Sequence, residues 1–283
     1  MKHIYRAYAK INLLLDVTGL RPDGYHSVAM LMQSIDLHDI ITVELTGGKG
    51  IEITCSLPYI PTDKRNIAWK ACEAFGITDG LRITLEKRIP SQAGLGGGSA
   101  DAAAVLTALR DLLRPGMPME TLCEIGAKVG ADVPFCLRGG GCLAEGIGEI
   151  LTPLPSLPAS YEIELLKPCA GVNTARAYAA LDRMALQRPQ TSLAVKYAKQ
   201  GDWAAVLPLC ENVFEQATQL PGLAEYLQDR RARGALLARM TGSGSAVYSV
   251  WREGEMPENM PVPMACSDRF VCRTKGMGVE RVN

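Results

Sequence analysis

The stretch from Ile89 to Val105, IPSQAGLGGGSADAAAV, constrains this chain more than any other part of it. Between Ala93 and Gly98 only Leu95 carries a bulky side chain, and an alanine-rich run follows at once. Glycines tolerate positive φ and let another group approach the main chain with no Cβ in the way. The run from Ser99 to Leu113 predicts a helix, which Pro115–Gly116 stops. A bare loop feeding a helix N-terminus gathers unpaired N–H groups at the positive end of the helix dipole, which favours an anion. Phosphate is the natural occupant. Ser99 stands either as the helix N-cap or as a hydroxyl donor to a phosphate or metal.

The spacing narrows the kind of phosphate site. A dinucleotide fingerprint would need glycine at position 99, where serine stands, and a P-loop would need a lysine after the glycines. A tight turn with close helix packing is the alternative use of the same residues, but five small residues ahead of a helix favour an anion. Asp101 suits the dipole yet repels a neighbouring phosphate. It must point away from the nucleotide, or act through water or a cation.

Around this loop the chain alternates strand and helix signals. Tyr5–Val17 reads as β structure, RPDGYHS (Arg21–Ser27) as a loop, and Ile35–Leu45 with Ile51–Cys55 as a strand pair. Helices are predicted over Asn66–Phe75 and Met119–Val129, and strands over Leu81–Lys87 and Tyr161–Pro168. Helical patterns run from Asn173 to about Leu227, broken near Pro189 and Pro221, and two strands follow around Met240–Val250. The proline cluster TPLPSLP (Thr152–Pro158) is the candidate linker, so residues 1–152 and 153–283 form two lobes of an α+β protein. With 30 basic and 30 acidic residues the formal charge is zero, which excludes a field built for nucleic acid. Nine scattered cysteines without C-x-x-C or histidine spacing argue against zinc and for reduced thiols in the cytoplasm. No apolar run suits a signal peptide or a membrane span.

Three separated segments resemble the GHMP kinases. PSQAGLGGGSADAA (Pro90–Ala103) is similar to that family's phosphate loop, and MTGSGSAVY (Met240–Tyr248) to its C-terminal glycine motif. AYAKINLLLDVTGLRPDGYH (Ala7–His26) resembles the N-terminal motif of a branch whose substrate carries a cytidine diphosphate group. GADVPFCLRGGGCLAEGIGE (Gly130–Glu149) and NVFE (Asn212–Glu215) fit as well. The resemblance implies a two-lobed GHMP kinase fold, ATP-binding in its N-terminal part, with the active site in the cleft between lobes. It further implies transfer of the γ-phosphoryl of ATP to a hydroxyl of the cytidyl substrate.

Carried over residue by residue, the resemblance makes Asp132 the base and sets Lys10 beside the same hydroxyl. Gly94, Gly96, Gly97, Gly98 and Ser99 would cradle the ATP phosphates, within a binding stretch that spans Pro90, Ser91, Gln92, Ala93, Leu95 and Ala100. Asn66 is a candidate near adenine, its plainer reading being a helix N-cap. Mg²⁺ is expected, with Ser99 as a candidate ligand; the glutamate used by several relatives has no match here. For the substrate, Tyr25 can stack on the base, His26 can hydrogen-bond its edge, and Tyr178 is the candidate second aromatic face. Asn12 lies two residues from Lys10 on one strand face and can reach ligand oxygens. Thr241, Gly242 and Ser243 form a second small-residue loop toward the substrate. A monomer or weak homodimer is expected, with no nucleic acid or membrane partner.

Overall fold

A long antiparallel hairpin organises the computed structural model, which describes residues 1–283. Its arms are β1 (Lys2–Leu20) and β2 (His26–Leu45), joined through the RPDGY loop. β2 begins nine residues before the predicted Ile35. Residues Val28–Ile35 are buried on both faces, so they show none of the polar alternation that marks a half-exposed strand. β2 then serves two neighbours: Ile40–Leu45 pairs with β4 (Leu81–Glu86), and Met30–Gln33 pairs with β5 (Gly141–Glu145). β3 (Ile51–Cys55) lies parallel to β4, and the crossover between them carries α1 (Ile67–Phe75).

The alanine run is α2 (Gly97–Leu113). Ten consecutive residues, Ala100 to Leu109, are buried, so this helix has no solvent face and is covered all round. It packs on β1 and β2 and against α1, α3 (Met119–Val129) and α4 (Val133–Arg138). Alanine suits that position because small side chains let sheet and helices close in from several sides. Gly126 on α3 shows how tight the packing is: a Cβ there would sit 2.9 Å from Val133.

The proline cluster expected as a linker is packed structure. Its first part is the end of β6 (Ile150–Leu154), paired with β5. Beyond it the Ser156 hydroxyl accepts from Gly141 N (3.0 Å), and Leu157, fully buried, donates its N–H to Gln33 Oε1 (2.9 Å). The chain then enters a second antiparallel sheet of β7 (Tyr161–Pro168), β8 (Leu237–Met240), β9 (Val247–Arg252) and β10 (Cys266–Cys272), ordered β10-β7-β9-β8. The predicted helical region is five short helices: α5 (Thr174–Leu181), α6 (Thr191–Gln200), α7 (Trp203–Val206), α8 (Phe214–Ala217) and α9 (Leu223–Ala232). After β10 the chain returns to the first sheet, where β11 (Thr274–Lys275) pairs with β2 and β12 (Val279–Arg281) with β1. One hydrophobic core runs through both sheets.

Candidate active site

The two glycine loops meet face to face. Gly94 adopts φ +76°, and a Cβ on it would lie 2.2 Å from the Thr241 carbonyl oxygen; one on Gly242 would lie 3.1 Å from Gly94 Cα. Ala246 N donates to Ala93 O (3.1 Å). Bareness at Gly94 and Gly242 therefore serves loop-to-loop contact. Gly97 and Gly98 are a different case, because they open α2. Its N-cap is Gly96 in the left-handed conformation, so Ser99 sits in the first turn and not at the cap expected for it. The first bond of the helix runs from Ala100 N to Gly96 O (2.8 Å), leaving the N–H groups of Gly97, Gly98 and Ser99 without an intrahelical acceptor.

A cleft of about 440 Å³ opens over that helix end, lined by Pro90 to Ser99, Asn66, Lys87 and Asp101. Within the loop, Ala93 and Leu95 turn their side chains into the core, as Ala100 does from the first turn of α2, and can offer only main chain. Asn66 lines the far wall with both ends of its amide engaged: Oδ1 accepts from Ala68 N (2.8 Å) as the α1 N-cap, and Nδ2 donates to Pro61 O (2.6 Å).

Asp101, on the wall of this cleft, grips Lys87 (2.5 Å), whose ammonium also meets Asp39. All three side chains are at most 5% exposed. Asp39 additionally accepts from the backbone of Arg88 (2.6 Å) and Ile89 (2.9 Å), anchoring the chain where it enters the glycine loop. Asp101 Oδ1 is buried and unpartnered. Burial drives the Asp101 carboxyl well above the usual carboxylate range, Lys87 opposing and Asp39 adding to the shift. Burial alone would lower Lys87, but the two carboxylates outweigh it and its pKa is raised. Nothing in the local sequence pattern marks Asp39 or Lys87 for this cluster, because the partners come from three distant segments.

A second cleft of about 720 Å³ adjoins the first, sharing Gln92, Gly94 and Gly96 with it. Lys10, Asp132, Asn173 and Ser243 also line it. Lys10 projects from β1 with its ammonium 3.7 Å from Asp132 Oδ2. The Lys10 side chain is 6% exposed and that of Asp132 32%, so the carboxylate is the more open half of the pair. Asp132 occupies the N-cap position of α4, yet its side chain makes no capping bond.

Asn12, expected at ligand oxygens, is fully buried. Its Oδ1 accepts from Lys10 Nζ (2.7 Å), and its backbone N–H donates to Thr241 Oγ1 (3.0 Å). Thr241 is equally buried, so both residues hold the site from behind. Asn212 does the same for the second loop, donating to the carbonyls of Met240 (2.7 Å) and Gly242 (2.8 Å). Ser243 does face the cleft, with its hydroxyl 2.8 Å from that of Thr174.

The expected base-binding residues gather at the hairpin tip. Tyr25 is 61% exposed there. For Tyr178, the candidate second aromatic face, the His26 ring stacks on one side (centroids 4.5 Å apart, planes 22° apart), and Phe214 meets it edge-on at 4.9 Å. His26 Nε2 lies 2.8 Å from Asp182 Oδ1, a contact between residues 156 apart that no local pattern signals.

A bare helix end above the buried Asp39–Lys87–Asp101 cluster, beside a lysine–carboxylate pair, is an arrangement suited to phosphoryl transfer. A family model described as the GHMP kinases N terminal domain matches residues 64–140, which contain the glycine loop and Asp132. Curated relatives named 4-diphosphocytidyl-2-C-methyl-D-erythritol kinase include one from Clostridium kluyveri, 39% identical over 98% of this chain and 99% of its own. Another, from Lachnoclostridium phytofermentans, is 43% identical over 87% of each chain. A crystal structure of 4-(cytidine 5'-diphospho)-2C-methyl-D-erythritol kinase superposes with a TM-score of 0.71 at 35% identity, covering 89% of this chain and 91% of that one. The chain belongs to the 4-diphosphocytidyl-2-C-methyl-D-erythritol kinase family within the GHMP kinases.

Proposed function

We propose that this enzyme transfers the γ-phosphoryl of ATP to the 2-hydroxyl of 4-diphosphocytidyl-2-C-methyl-D-erythritol, a step toward isoprenoid precursors. The observation that carries the residue-level reading is the Lys10–Asp132 pair, set where the two clefts meet at the glycine loop. The smaller cleft receives ATP, its phosphates on the N–H groups of Gly97, Gly98 and Ser99 at the positive end of α2. The larger cleft takes the acceptor. Asp132 receives the proton of the 2-hydroxyl as the new P–O bond forms and the bond to the β–γ bridging oxygen breaks, releasing ADP. Lys10, held by Asn12, opposes the negative charge growing on the attacking oxygen.

The residues at the helix end fit a magnesium ion arriving with ATP. The Ser99 hydroxyl would hold it, with phosphate and water oxygens completing a hard-oxygen shell, while Asp101 is committed to Lys87. The ion supplies charge neutralisation of the triphosphate. Tyr25 and His26 receive the cytosine at the hairpin tip.

The test is phosphorylation by ATP and Mg²⁺ of the cytidyl substrate in competition with homoserine and mevalonate. Turnover confined to the cytidyl substrate is expected, and phosphorylation of only a competitor overturns the reading. Asp132→Asn and Lys10→Ala should fold and bind ATP while kcat falls by about 10²–10⁴. Near-normal turnover by either variant removes its assigned role.

A further inference from the structure

His26 is held on three sides. Its backbone pairs with Leu20, its ring lies on Tyr178, and its Nε2 meets Asp182. Tyr178 and Asp182 are four residues apart, one turn along α5 and its C-cap, so one end of one helix supplies both the stack and the hydrogen bond. Tyr178 is itself braced by Phe214, which is 1% exposed. The ring therefore has little freedom to rotate.

An ionised carboxylate only accepts, so the hydrogen in the 2.8 Å contact sits on His26 Nε2. In the neutral ring the other nitrogen, Nδ1, is then an acceptor. Nδ1 has no partner within the protein and is not among the buried unpartnered atoms, so it remains open to a ligand. We propose that Asp182 is a specificity-determining positioning residue, which fixes His26 as an acceptor and so selects a pyrimidine that donates there. Cytosine carries an amino group at position 4, where uracil carries a carbonyl; with position 4 seated against Nδ1, uracil would set lone pair against lone pair. This inference rests on the reading that Tyr25 and His26 receive the base.

The test uses the full-length enzyme with the cytidyl substrate and its uridyl counterpart. An amide at position 182 can donate as well as accept, so Asp182→Asn releases the tautomer. It should raise KM for the cytidyl substrate about fivefold to tenfold. The preference over the uridyl compound should narrow by the same factor, with kcat and KM for ATP nearly unchanged. Asp182→Glu should recover most of the preference. Because Asp182 is 44% exposed at a helix end, these variants should fold. Nitrogen-15 spectra give an independent readout, since only His3, His26 and His38 contribute: native His26 should be the Nε2–H form and Asp182→Asn a mixture. An unchanged cytidyl-to-uridyl ratio, an equal loss for both compounds, or a native Nδ1–H form overturns the inference. Failure to phosphorylate either compound instead overturns the proposed function on which it rests.

Discussion

Asn12 gives Lys10 its only short side-chain hydrogen bond, at 2.7 Å, and lies wholly out of solvent. Asn12→Ala should lower kcat about tenfold by releasing the ammonium. It should leave KM for ATP near its native value and lower stability by about 1–3 kcal/mol through the buried groups left unpaired. Steady-state kinetics with thermal unfolding separates the two effects. At this scale period-two alternation was enough to place Asn12 with Lys10, because that geometry is local. Burial was not legible, because what covers Asn12 is Thr241, 229 residues away.

The start of α2 illustrates the scale of elements. The run after the glycines predicted a helix, yet the charge beneath it is set by Asp39 from β2 and by Lys87 just after β4. Lys87→Met should cost about 3–5 kcal/mol by stranding two buried carboxylates, and should weaken ATP binding through disorder of the segment Asp39 anchors. Asp101→Asn tests the charge itself. The folded Asp101 pKa lies above its unfolded value, so its stability contribution is whole below the unfolded pKa and is lost as pH rises toward the folded one. The asparagine variant lacks that loss. Its stability relative to the native protein should therefore improve with rising pH across that window in denaturant titrations, and a difference independent of pH would contradict the shift. The acid beside the glycine loop is accounted for by its partner, since this carboxylate is paired with Lys87.

Across the whole molecule, the chain's last turn back to the first sheet braces the site. Gly278 passes so close to α4 that a Cβ on it would lie 1.8 Å from the Cys136 carbonyl oxygen, and its own carbonyl accepts from Tyr8 N (2.9 Å). Gly278→Ala should lower stability by about 2–4 kcal/mol and reduce kcat more than affinity, because displaced α4 carries Asp132 with it. Thermal unfolding and single-turnover rates check both. The amino-acid sequence by itself determined the glycine loop, the helix after it, and the two segments bearing Lys10 and Asp132, since each depends on residues within a turn or two. It also determined the family, through motifs that survive as contiguous strings. Tertiary structure alone decided that Asn12 and Thr241 support the site from behind, that His26 stacks on Tyr178, and that Asp182 holds His26. Those contacts join segments more than 150 residues apart, and burial and pairing at such distances follow from how the sheets and helices pack, which no local pattern encodes.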